Sequence, residues 1–149
     1  MFFKIFIFLL FFIKSSYAHE LRPAIANLNI YEKDNIINAS LTIRLNLEAI
    51  IAELDMSHSN TKVSKESDQY ESLRNMSAVD LLEQFNSKII NLQKKIYLTS
   101  VSSNYSLTLL NIDIPEVGNT DIIRDTIINF DIKNIKDEDL KFSWDKNLG

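Results

Sequence analysis

The stretch IINASLTIRLNLE, residues 36–48, decides the fold class. Ile37, Ala39, Leu41, Ile43, Leu45 and Leu47 alternate with Asn38, Ser40, Thr42, Arg44 and Asn46. Only a period of two puts every apolar residue on one face, so the segment reads as a half-buried strand whose other face is wet. The preceding AIANLNIYE repeats the pattern with Ala26, Leu28 and Ile30, and KDN at 33–35 supplies turn residues, so the two segments are expected to form an antiparallel hairpin.

Beyond Leu47 the period changes. EAIIAEL carries Ile50, Ile51 and Leu54 at helical spacing, with Glu48 suited to a first turn. DMSHSNTKVSKESDQ is polar and reads as a surface loop. SAVDLLEQFNSKIINLQ then reads as the best helix in the chain, with Ser77 as N-cap and Leu81, Leu82, Phe85, Ile89 and Leu92 as one apolar stripe; YESLRNM before it adds a further turn or two. From residue 96 strands return in IYLTSV, YSLTLLNIDIP, DTIINFDI and LKFSW. In YSLTLLNIDI the apolar parity changes between Leu109 and Leu110, which a bulge, or a strand that changes partner layers, would reconcile. Pro115 and Gly118 bracket a turn.

The expected fold is therefore mainly β, of the α+β class: an antiparallel, sandwich-like sheet with a helical insertion at about 48–92 packed on one face or end. The length suits one core.

The amino terminus reads as an address. MFFKIFIFLLFFIKSSYA, residues 1–18, has a lysine near its start, an apolar block from Ile5 to Ile13 and a small-residue step ending in Ala18, so it reads as a secretory signal peptide cut between Ala18 and His19. The apolar block is about half the ~20 residues needed to cross a bilayer, and Lys14 interrupts it. Residues 19–149 are then one extracytoplasmic domain, expected in a bacterial periplasm. The chain has no cysteine, so neither a disulfide nor a lipid-modified cysteine enters the account. Loss of Lys4 and Lys14 with the leader moves the formal charge from −4 to −6, which disfavours nucleic acid as a partner.

Few residues carry chemistry. Gly118 and Gly149 are the only glycines, too few for a phosphate-cradling loop, and no nucleophile stands with a base, so a non-enzymatic role is expected. Asp137, Glu138 and Asp139 read as a solvated turn, and Arg22 and Glu116, each beside a proline, as turn-fixing or edge residues. His19 and His58 are the only histidines. After cleavage the α-amino nitrogen and imidazole of His19 can chelate one nickel or copper ion, and His58, with Asp55 and Met56 nearby, could complete that site. The alternative is that His19 only marks the cut and His58 is a solvated loop residue.

AHELRPAIANL (18–28), LTIRLNLEAIIAELD (41–55), YESLRNMSAVDLLEQF (70–85) and IPEVGNTDIIRDTIINF (114–130) together resemble the periplasmic N-terminal region of a HupE/UreJ-type membrane protein. The resemblance covers most of residues 19–149, in order. It implies a link to hydrogenase or urease accessory function and to uptake of nickel or a related metal, with a membrane permease domain or a periplasmic protein as partner. It also implies several membrane helices after the soluble head. The sequence closes at FSWDKNLG without an apolar stretch of that length after the leader, so the expectation is a chain truncated before a membrane domain. The functional expectation is an exported head domain acting by contact or metal delivery; the alternative is a free-standing periplasmic interaction module without metal binding.

Overall fold

The computed structural model describes residues 22–54, 65–136, 139–145 and 148. The leader, the Ala18/His19 cut, His19 and His58 lie outside these residues, as do Asp137 and Glu138.

The alternating segment forms the long strand β2 (Ile36–Asn46), paired antiparallel with β1 (Ile25–Lys33). Asp34 and Asn35 connect them at φ 54° and 59°. Positive φ at both central residues is the type I′ geometry, whose twist matches that of the flanking strands.

Beyond the helices come β3 (Ile96–Thr99), β4 (Thr108–Asp113), β5 (Asp125–Ile135) and β6 (Lys141–Trp144). The main sheet has four strands in the order β1-β2-β5-β4, and β3 and β6 pair as a separate two-stranded sheet. All the pairings are antiparallel. The fold is mainly β with helices, of the α+β class, as the alternation implied. The late strands are not a run of consecutive hairpins, because β3 reaches over β4 and β5 to find β6.

Parity sets which face of the main sheet is dry. Leu41 lies opposite Phe130 and Ile43 opposite Ile128 in the β2–β5 register, and all four are buried. The opposite face carries Ser40, Thr42, Asn129 and Asp131, with Thr42 Oγ1 donating to Asn129 Oδ1 at 2.7 Å. The parity change in β4 resolves as expected. Leu109 pairs with Phe130 and Asn111 with Asn129, so Leu110 is the extra residue and stands 61% exposed, while Leu109 and Ile112 both pack on the core. A second bulge lies in β5, where Ile37 pairs with Ile135 but Ala39 with Ile132; Asn134 takes φ 57° there and its N–H donates to Asn38 Oδ1.

The helices are α1 (Leu47–Ile51), α2 (Lys65–Arg74), α3 (Ala78–Asn86) and α4 (Ile89–Gln93). α1 follows β2 directly: Asn46 caps it by accepting from the Ala49 N–H at 3.1 Å. It ends in a Schellman turn, with Glu53 at φ 58°, its N–H donating to Ile50 O and that of Leu54 to Ala49 O. Ser77 caps α3 by accepting from the Asp80 N–H at 3.1 Å, as its position suggested.

Two sequence expectations are corrected. Lys65–Gln69 belong to α2 and not to a loop, their acids Glu66 and Asp68 occupying the first turn where the helix dipole favours them. The single helix expected over 77–93 is two, because the chain breaks at Ser87 and Lys88, where the Lys88 N–H donates back to Phe85 O at 2.7 Å and its Nζ reaches Ile51 O. Tyr70, Leu73, Leu81, Phe85 and Leu92 join the dry face of the sheet in one core, to which Ile96 and Leu98 of β3 also contribute.

Candidate contact site around Arg124

Three separate parts of the chain converge on one guanidinium. Arg124 lies between the β4–β5 connection and β5, and its side chain is 8% exposed. Its Nε donates to Glu48 Oε1 at 2.7 Å. Its Nη1 donates to Met76 O at 3.1 Å and Pro115 O at 3.3 Å, and its Nη2 to Leu73 O at 3.4 Å. Leu73 and Met76 lie at the end of α2 and in the turn to α3, and Leu73 O also accepts from the Met76 N–H at 3.0 Å. A planar fork of donors suits this many-sided arrangement; an ammonium does not.

Glu48, the other half of the ion pair, is held at the start of α1, and only 2% of its side chain is exposed. Asn46 beside it is satisfied twice over: Oδ1 caps α1, and Nδ2 donates to the Tyr70 hydroxyl at 2.8 Å. Burial, the largest effect, raises the Tyr70 pKa, against the lowering influence of the Asn46 hydrogen bond and of Arg74. The Tyr70 ring in turn lies under the Arg74 guanidinium, 5.4 Å from centroid to Cζ. Arg74 Nη2 donates to Ile122 O at 3.5 Å, and its Nη1 lies 3.7 Å from Glu71 Oε1.

Asn46, Glu48, Tyr70, Arg74, Arg124 and the 117–122 stretch line a small, partly open pocket of about 20 Å³. Glu48 Oε2 and Arg74 Nη1, both lacking hydrogen-bond partners, belong to residues that line it. A space of that size and polarity suits a water molecule. The cluster is thus a clasp. It fixes the connection Ile114–Arg124 against α2 and the start of α3, helped by Glu116, whose carboxylate accepts from the Ala78 N–H at 3.4 Å. The outward side of the clasped region carries exposed apolar side chains, Val117 at 41%, Ile122 at 60% and Val79 of α3 at 71%, interspersed with exposed Asp80, Glu116, Asn119 and Asp121.

A larger, open groove of about 630 Å³ has an apolar floor that includes Leu54 and Leu92 and a rim of Lys88, Lys94 and Lys95. Lys88 is already engaged, donating to Ile51 O at 2.8 Å and to Glu53 Oε1 at 3.0 Å, and its hydrogen bond holds the Glu53 carboxyl below its ordinary pKa.

Of the residues singled out in the sequence, Glu116 reaches the start of α3, where its carboxylate meets the Ala78 N–H. Arg22 is exposed and lines a shallow concavity with Arg44 and Asp125. The metal candidates His19 and His58 fall outside the described residues, and among those described no group of three or more His, Cys, Asp or Glu side chains could hold a metal ion. Among the same residues, no helix is long and apolar enough to cross a membrane. Arg124 and Arg74 escaped the sequence reading altogether, and Glu48 entered it only as a first-turn acid. No protein family, curated protein or solved structure gives a match when compared with this chain.

Proposed function

We propose that the chain is a non-enzymatic exported head domain, similar to the extracytoplasmic region of a HupE/UreJ-type metal permease, and that it works by contact. The observation that supports this reading is the Arg124 clasp. Four hydrogen bonds from one buried guanidinium hold a surface connection against two helices while Val117 and Ile122 remain exposed on it. A buried, charge-assisted network of this kind lowers the entropy a surface loses when it meets a partner. The partner in this reading is a polytopic membrane protein, the permease part that the resemblance implies.

The absence of cysteine makes the test clean, since one introduced thiol can carry a photocross-linker. Val117→Cys and Ile122→Cys are expected to give an adduct with a membrane protein in intact cells. Lys133→Cys, on the wet face of the sheet, is the control and is expected to give none. Labelling of the control alone, or of all three equally, defeats the reading.

The metal arm of the proposal rests on His19 and His58 and is tested separately. Calorimetric titration of the cleaved chain with nickel or copper is expected to show stoichiometric binding. That binding is lost in His19→Ala and on adding a residue before His19, because the free α-amino group is a ligand. Both nitrogens must be unprotonated, so affinity falls as pH drops from about 8 to about 5. Unchanged affinity in the extended chain rejects the site.

A further inference from the structure

The two edges of the main sheet are built differently. β4 is short, at six residues, and interrupted by the Leu110 bulge, both devices that blunt an edge. β1 is nine residues long, keeps one unbroken register against β2 and has no proline, bulge or charge from Ile25 to Tyr31. Among the described residues no strand pairs with its outer side.

The hairpin turn fixes which β1 groups point outward. A two-residue turn is closed by the bonds exchanged between Lys33 and Ile36, so the odd-numbered residues of β1 direct their N–H and C=O groups to β2. The even-numbered residues Ala26, Leu28, Ile30 and Glu32 therefore direct theirs to the open edge. Their side chains share the dry face of the sheet, where Ala26 and Leu28 pack on the core but Ile30 is left 51% exposed.

We infer that β1 is a self-association edge: two copies of this chain join β1 to β1 antiparallel, about a two-fold axis at Asn29, to make one continuous sheet. In that register Leu28 meets the partner's Ile30 and Ala26 the partner's Glu32, as hydrogen-bonded pairs, giving about eight new backbone bonds. Asn27 meets the partner's Tyr31, Ile25 the partner's Lys33, and Asn29 the partner's Asn29, as non-bonded pairs. Every residue of the strand finds a counterpart, no charge opposes a charge, and the exposed Ile30 gains an apolar neighbour on the dry face. Moving the axis by one residue is worse in either direction. It sets Leu28 against Glu32, or leaves Lys33 facing Pro23 outside the strand. The surface is separate from the Arg124 clasp, and the inference does not depend on the contact proposed there.

The test uses the protein produced from the complete sequence. Asn29 sits at a non-bonded pair on the axis, where Cα atoms lie about 4.5 Å apart, within disulfide reach. Asn29→Cys is therefore expected to form a disulfide-linked dimer under mild oxidation, at least tenfold faster than Leu28→Cys or Ile30→Cys. Sedimentation of the unmodified chain is expected to show a concentration-dependent dimer. Ile30→Pro, which removes an outward N–H and no bond to β2, and Ile30→Lys, which keeps the backbone donor, are both expected to be folded and monomeric by circular dichroism and sedimentation. A chain that stays monomeric throughout, a dimer that survives both Ile30 substitutions, or faster cross-linking at 28 or 30 than at 29 overturns the inference.

Discussion

At the scale of single residues, the side chain that matters most is one whose type and neighbours in sequence say little. IIRDT gives no hint that Arg124 will be buried, and Glu48 lies 76 positions away. Their pairing is a product of topology: β2 and β5 are neighbours, so the residues just beyond β2 and just before β5 meet at one end of the sheet. A buried ion pair adds little over an apolar pair of the same shape, yet removing one partner strands the other charge. Arg124→Met is accordingly expected to cost about 3–5 kcal/mol in urea denaturation. The added substitution Glu48→Leu is expected to return a good part of that loss, which is the coupling a double-mutant cycle reads.

Tyr70 makes a second residue-scale prediction. Its raised pKa favours the neutral hydroxyl in the folded chain, so its stabilising contribution is complete below the ordinary tyrosine value of 10.0 and is lost as pH climbs through the raised one. Tyr70→Phe is expected to cost about 1 kcal/mol at neutral pH, since Asn46 Nδ2 loses its acceptor, and to make unfolding less steep above pH 10. Denaturation curves at pH 7 and at pH 10.5 check both halves.

At the scale of elements, legibility follows the range of the forces. The β1–β2 hairpin, the Ser77 cap and the Leu110 bulge are local consequences of parity, turn chemistry and side-chain reach, and each could be read from a few adjacent residues. The break between α3 and α4 could not, because Ile89 and Leu92 continue the apolar stripe in phase. At the break Ser87 Oγ donates back to Gln84 O at 2.9 Å, and Lys88 is drawn across to the end of α1, where it meets Ile51 O and Glu53. Burial patterns likewise hid the β3–β6 sheet, since IYLT and KFSW would serve equally well as edges of the main sheet. Two substitutions probe this scale. Ser77→Ala is expected to destabilise by about 1 kcal/mol through loss of the α3 cap. Leu110→Ser is expected to stay within about 0.5 kcal/mol, because the bulge turns that side chain outward. Thermal or urea unfolding of each variant measures these effects.

At the scale of the whole molecule, one core ties the sheet's dry face to the helices, and the Arg124 clasp closes it at the end where the β4–β5 connection crosses. The fold class was readable from IINASLTIRLNLE, because alternation is a statement about one strand and its two faces. The site was not, because it is made of carbonyl oxygens and charges brought together from the end of α2, the start of α1 and the approach to β5. The proposed contact surface inherits its shape from that convergence. Arg124→Lys keeps a positive charge beside Glu48 but gives up the planar fork that reaches Leu73, Met76 and Pro115.

The most direct measurement is therefore the yield of photocross-linking from Val117→Cys in intact cells, compared between chains carrying Arg124 and chains carrying Arg124→Lys, with folding of both confirmed by circular dichroism. If the clasp presents the contact surface, a membrane-protein adduct forms with Arg124 and falls at least several-fold with Arg124→Lys, while the Lys133→Cys background is unchanged. Equal adduct yields in the two chains, or no adduct specific to position 117 in either, would contradict it.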